Sequence, residues 1–304
     1  MSSLIIKLGA TGDVVRTTPL IEVLGDDVVW LTESKNVVLL DGLTDRLRPF
    51  SWEERDAIPD VKYDLVINLE DTLEVAQFAT RFKASRWFGS YLAKDNTLKY
   101  TDESRAWFDL SLISSFGRKE ADRLKYQNRS SYQDLIFKGL GYAFKGDKYL
   151  LPLPRETALI GDLAIAAEAG PVWPMKNWAY YEELRQALIG EGLQVNVLPR
   201  RDSLLEHLAD VRNHSCLVGG DSLPMHFALG TKTRCVSIFT CTSPWEIHDY
   251  GVQHKIVSPL LKEFFYQRGF DRRAITAISL EEVKEAVLAQ LTAGEAIKAA
   301  VPSP

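Results

Sequence analysis

The chain has 304 residues, 46% hydrophobic and 25% charged, the balance of one large or two ordinary globular domains with real cores. Its net charge of −5 argues against a nucleic-acid binder, and no apolar run approaches the roughly 20 residues that span a bilayer. Residues 1–15 carry no basic flank and no cleavage-like site, so they read as a strand rather than a leader, and the cytoplasm is the expected compartment.

The first predicted strand is 3–8. It runs into Gly9-Ala10-Thr11-Gly12-Asp13, then a helical pattern with Val14, Thr18, Ile21 and Leu24 on one side, in which Pro19 lies in the early turns or makes a kink and which Gly25 ends. Residues 28–31 and 64–69 are apolar enough for buried parallel strands, and 71–83, 103–116 and 130–140 have helical spacing. The basic stretch 118–129 is interrupted by Glu120 and Asp122 and reads as a solvated helix face. Two prolines in Leu151-Pro152-Leu153-Pro154-Arg155 mark an extended linker, which divides the chain into domains at 1–152 and 156–278 with a helix and tail at 279–304.

The second half repeats the alternation. Residues 163–167 form a strand ending in Glu168-Ala169-Gly170-Pro171, and a helix over 177–189 carries Tyr181, Leu184 and Leu188 on one stripe. Strands follow at 193–198, 216–218 and 234–239. Ser203-Leu204-Leu205-Glu206 and Ser279-Leu280-Glu281-Glu282 are capping-box patterns that open helices. The last helix has Val283, Val287, Leu288 and Leu291 on its apolar face and frays over 292–304. Strands alternating with helices of this length imply an α/β chain of two Rossmann-like domains with parallel sheets, whose ligands bind at the carboxyl ends of strands.

Four segments carry candidate chemistry. Gly9 to Asp13 is a tight turn between a strand and a helix, where Gly9 and Gly12 let a ligand approach the backbone. It matches neither a dinucleotide fingerprint nor a P-loop. Asp13 there is either an N-cap or a base. Lys176, in Trp173-Pro174-Met175-Lys176-Asn177-Trp178, is either solvated or a point charge for a phosphate. In Gly219-Gly220-Asp221-Ser222-Leu223-Pro224-Met225-His226 the glycines permit close approach, Asp221 or Ser222 can cap a helix, and His226 is either structural or part of the site. Thr242-Ser243-Pro244-Trp245 is a polar loop after a strand. Cys216, Cys235 and Cys241 lack metal or disulfide spacing, and His214 beside Cys216 has no second ligand cluster, so no metal site is expected.

Together these segments resemble glycosyltransferase family 9, the heptosyltransferase-like enzymes. The family's KLGxxGDVVxTxPL run appears as 7–20, its K-x-W as Lys176-Asn177-Trp178, and the GDSxPxHxA part of its (G/N)D(S/T)GPxHxAxALG run as 220–228. The resemblance implies a GT-B architecture: two facing Rossmann-like domains with a cleft between them, the second binding donor and the first acceptor. It implies an inverting, metal-independent transfer from a nucleotide-diphosphate sugar, with ADP-heptose the best guess, and no other cofactor. Asp13 becomes the general base and Lys176 the diphosphate contact. Gly220, Asp221, Ser222, His226, Thr11 and Gly12 line the donor, and Arg16 faces the acceptor, a glycan, a lipopolysaccharide core or a small molecule. A monomer is implied as well.

Three departures bear on this. Leu223 stands where the family has Gly. The segment 199–202 replaces an extra strand–helix unit that helps hold the nucleoside, so Arg200 or Arg201 is a substitute ribose or phosphate contact. The net negative charge leaves room for a soluble acceptor. The rivals are a nucleotide-sugar epimerase, which consumes donor without a transfer product, and an inactive binder, against which Asp13, Lys176 and His226 speak.

Overall fold

The computed structural model describes residues 1–170 and 172–300, with backbone only for 295–300. Contacts divide the chain into two units: 1–152 with 245–248, and 153–244 with 249–304.

The first unit is built on a six-stranded sheet in the order β3-β2-β1-β4-β5-β6. The strands are β1 (Ser2–Ile6), β2 (Asp27–Thr32), β3 (Leu47–Ser51), β4 (Lys62–Asn68), β5 (Lys83–Leu92) and β6 (Leu98–Tyr100). All pair in parallel except β5 with β6. Successive residues of a strand point to opposite faces, and both faces are apolar. Ile5, Val28, Trp30, Leu65 and Ile67 face a core closed by Val14, Leu20, Ile21, Ile136 and Phe137. Leu4, Ile6, Val29, Leu31 and Val66 face another closed by Ile58, Val75, Phe78 and Phe82. Pro19 lacks the N–H a continuous helix needs, and the predicted first helix divides there into Thr11–Thr17 and Leu20–Val23.

The second unit holds β7 (Gly161–Ala166), β8 (Val195–Val197), β9 (His214–Gly220), β10 (Arg234–Phe239) and β11 (Gln253–Val257). All pair in parallel, in the order β11-β10-β9-β7-β8. Leu163, Ile165, Val218, Val236 and Ile238 share a core with Trp178, Tyr181, Leu184, Leu188, Val283 and Val287, the stripes read from the sequence.

The two units use the two common doubly wound orders. The first runs 3-2-1-4-5 with an antiparallel edge strand, and the second runs 2-1-3-4-5 in its own numbering. Each reverses direction once, between β1 and β4 in the first and between β7 and β9 in the second. Ligands in such sheets bind outside the strand ends at that reversal.

Several elements differ from expectation. Only 105–108 of the predicted helix 103–116 is α-helical, after a 3₁₀ turn at 102–104. Strands β3, β5, β6 and β11 have no counterpart in the sequence reading. The terminal helix runs to Ala300 rather than fraying after Leu291, and 301–304 lie outside the described residues. Among the described residues, no helix is long and apolar enough to cross a membrane.

Candidate functional site

In the first unit, β1 ends at Ile6 and hands the chain to Lys7 and Leu8 at the reversal point. Gly9 passes so close to Glu33 that an added Cβ would lie 3.0 Å from the carboxylate oxygen Oε1. The following helix is capped by Ala10 without a side-chain hydrogen bond, so the N-cap reading of Asp13 fails. Asp13 instead sits one turn in, one-third exposed, with Oδ1 2.8 Å from Arg16 Nη2 and Oδ2 3.9 Å from Lys7 Nζ. Thr11 donates to Asn36 Oδ1, and Gly12 lies in the first turn.

Lys7 is buried and donates to Glu70 Oε1 at 2.7 Å across the reversal, from the end of β1 to the end of β4. Burial lowers its pKa, but Glu70, Asp13 and Tyr132 outweigh that and hold the ammonium above its ordinary value. Arg16 is also buried. Its guanidinium stacks 4.2 Å from the centroid of Tyr132 and 5.6 Å from that of Trp107, and Nη1 lies 3.9 Å from Glu246 Oε2. The Tyr132 hydroxyl meets Thr17 Oγ1 at 2.7 Å, and Thr17 donates to the Asp13 carbonyl. Burial raises the Tyr132 pKa against the pull of Arg16 and Lys7.

In the second unit, Lys176 ends a 3₁₀ turn after β7, and Trp178 two residues on anchors that turn in the core. Lys176 Nζ donates to the Asp221 carbonyl at 2.7 Å and to Asp221 Oδ2 at 3.2 Å. This pair bridges the loops leaving β7 and β9, the two strands that flank the reversal. The glycines permit that closeness: a Cβ on Gly219 would lie 2.8 Å from Ala166 Cβ, and one on Gly220 3.0 Å from the Lys176 carbonyl. Ser222 is the extended N-cap of helix Leu223–Thr231, Pro224 lies in its first turn, and His226 is buried beyond it. Thr240 donates to the Met175 carbonyl and ties the loop after β10 to the Lys176 turn.

Arg200 is exposed on its loop. Arg201 is committed elsewhere, to the fully buried Asp210 through Nε at 2.7 Å and Nη2 at 3.1 Å. An open depression of about 470 Å³ is lined by Arg201, Glu206 and residues 156–159. None of Lys176, Asp221, Ser222 or His226 lines it, and its open, unconverging walls are a poorer argument for a site than the strand reversal. No group of three or more His, Cys, Asp or Glu side chains is arranged to hold a metal among the described residues. The sequence reading passed over Glu70 and Glu246. Glu70 directly follows a buried strand, a position that would have marked it; Glu246 carries no such mark.

Residues 163–265, which span β7 to β11 with Lys176, Asp221 and the Thr242–Trp245 loop, match the model of glycosyltransferase family 9 (heptosyltransferase). These residues form a glycosyltransferase family 9 domain. No curated protein sequence matches the chain significantly. Solved structures do. The family 9 glycosyltransferase of Veillonella parvula is 16% identical over 96% of this chain and 97% of its own, with a TM-score of 0.70. Escherichia coli heptosyltransferase WaaC, solved with ADP, is 16% identical over 95% of this chain and all of its own, with a TM-score of 0.61. The E. coli ADP-heptose lps heptosyltransferase II is 16% identical over 97% of this chain and all of its own, with a TM-score of 0.60. The fold is the α/β GT-B type, with two parallel-sheet domains.

Proposed function

We propose that this glycosyltransferase family 9 chain is an inverting, metal-independent transferase that moves heptose from ADP-heptose to a hydroxyl of a glycan, a lipopolysaccharide core or a small-molecule acceptor. The observation that carries the reading is the Lys176–Asp221 pair at the strand reversal of the family 9 domain. A lysine held there can exchange its Asp221 contacts for the diphosphate of a nucleotide sugar. WaaC has been solved with ADP and with ADP-2-deoxy-2-fluoro heptose, which supports ADP as the nucleotide. In this reading Gly220, Ser222, His226, Thr11, Gly12 and Arg200 also line the donor, and Arg16 faces the acceptor.

The chemistry asks for two things. The departing diphosphate gathers negative charge, which Lys176 stabilises without a metal or other cofactor. The acceptor hydroxyl must lose its proton, and Asp13, partly exposed and fixed by Arg16, takes it. A single displacement with one base inverts the anomeric carbon. The enzyme works in the cytoplasm and as a monomer.

Calorimetric titration of ADP, GDP, UDP and dTDP into wild type and Lys176→Ala tests this. ADP should bind selectively, and loss of a charge-assisted contact should weaken it by about 10- to 150-fold. Asp13→Asn should keep ADP binding and lose about 10²- to 10⁴-fold in turnover. Absence of binding by any of the four nucleotides overturns the donor site, and transfer undiminished in Asp13→Asn overturns the base.

A further inference from the structure

Asp13 is one link in a row of charges within the first unit. Glu70 Oε1 lies 2.7 Å from Lys7 Nζ, and Lys7 Nζ lies 3.9 Å from Asp13 Oδ2. Asp13 Oδ1 lies 2.8 Å from Arg16 Nη2, Arg16 Nη1 lies 3.9 Å from Glu246 Oε2, and Glu246 Oε1 lies 3.4 Å from Lys125 Nζ. The signs alternate throughout. They come from four separate stretches of chain: residues 7–16 from the end of β1 through helix Thr11–Thr17, the end of β4, helix Arg118–Gln127, and the loop after β10. Asp13 is the most open link, at 33% exposed, and Glu246 the most enclosed, at 4%.

Lys7 and Arg16 are nearly buried, and an uncompensated buried cation is costly. Were Asp13 their sole counter-ion, two cations would draw on one carboxylate and make it a poor proton acceptor. Glu70 holds Lys7 more closely than Asp13 does, and Glu246 approaches Arg16 at Nη1 whereas Asp13 meets it at Nη2. The Glu246 carbonyl also accepts the Tyr132 N–H at 2.9 Å, which fixes the loop beside the ring that carries Arg16. Also close by are Glu33, against Gly9 and paired with Lys35, and the Tyr132 phenol, which burial keeps neutral.

We propose that Glu70 and Glu246 are positioning residues that share Lys7 and Arg16 with Asp13, and thereby set both the stance of its carboxylate and its readiness to take a proton. The functional half of this rests on Asp13 being the base. The sharing itself does not.

A double-variant cycle reads the sharing without substrate. Melting temperatures are measured for wild type, Asp13→Asn, Glu246→Gln and the pair, and again in an Arg16→Ala background. Removing one carboxylate leaves the other on Arg16, whereas removing both takes both of these contacts from the buried guanidinium. The pair should therefore lose clearly more than the sum of the single losses, and the excess should vanish with Arg16→Ala. Additive losses, or an excess that survives Arg16→Ala, overturn the proposal. Should the pair not fold, the same cycle on Asp13→Asn and Glu70→Gln, read through Lys7, decides it. ADP release from ADP-heptose supplies the second readout. Glu246→Gln should lower turnover at least several-fold with calorimetric ADP affinity unchanged, and Glu246→Asp should restore it. Turnover equal to wild type in Glu246→Gln overturns the positioning role, whereas a wild type without turnover under a non-additive cycle sinks the transferase reading and leaves the sharing intact.

Discussion

Gly219→Ala perturbs the second unit at the point where its sheet supports the donor loops. Gly219 pairs with Ala166 in the β7–β9 ladder, and a Cβ there would stand 2.8 Å from Ala166 Cβ and 3.1 Å from its carbonyl oxygen. Carbon atoms rest comfortably about 3.5–4.0 Å apart, so the two strands must part by more than half an ångström. Overpacking of this kind costs about 1–3 kcal/mol. Relief from the conformational freedom of glycine returns about 0.5–1 kcal/mol, which leaves a net loss of up to about 2.5 kcal/mol. At roughly 2–4 °C per kcal/mol for a domain of this size, the melting temperature should fall by up to about 10 °C. The displaced strand ends lead directly into Asp221 and toward Lys176, so ADP affinity should fall along with stability. Gly190→Ala is the control: nothing lies within 4 Å of its would-be Cβ, at the end of helix Tyr181–Gly190. That variant should be neutral or gain up to about 1 kcal/mol. Scanning calorimetry of both variants checks the comparison, and a Gly219→Ala loss no larger than that of Gly190→Ala would refute the steric reasoning.

Other outcomes follow from buried polar groups. The Tyr181 hydroxyl is buried without a hydrogen-bond partner among the described residues, so Tyr181→Phe should leave stability unchanged or raise it by up to about 1 kcal/mol; a melting temperature several degrees lower would contradict this. His214 donates through Nδ1 to the Asp210 carbonyl at 2.6 Å and receives the Asn196 amide at Nε2, 3.0 Å away. Burial holds the pKa of His214, and of His207, below the ordinary 6.5. The unfolded chain therefore binds more protons in that range, and stability should be full above pH 6.5 and decline as pH falls below it. Replacing both with Asn should flatten the fall in melting temperature between pH 7.5 and 5.5 measured by scanning fluorimetry, and an unchanged slope would exclude the two rings. Cys216, Cys235 and Cys241 are all buried, and burial pushes the Cys235 thiol up to about 12 and raises the other two. Ellman's reagent at pH 8 should react with none of them in the native protein and with all three in urea; a fast native reaction would show an accessible thiolate.

Local chemistry wrote much of this molecule into its sequence. Runs such as Leu65-Val66-Ile67 are apolar at every position because both faces of a parallel sheet are covered, and the helix stripes at Tyr181, Leu184, Leu188, Val283 and Val287 follow the helical period. The turns at Gly9 to Asp13 and Gly219 to Asp221 announce themselves because close backbone approach requires glycine. The strands that escaped notice sit at or near sheet edges, where burial is partial and the pattern blurs: β5 buries only Phe88, Gly89 and Ser90, β3 contains Pro49, and β11 buries only Ile256. Tertiary structure alone decided the strand orders, and with them which loops flank a reversal. It alone brought Glu70 to Lys7 across 63 residues and set Glu246 beside Arg16. A local pattern records what a residue needs from its immediate neighbours along the chain. The partner of a buried charge is chosen by the folding of distant segments onto one another, and nothing in the spacing of either residue records that choice.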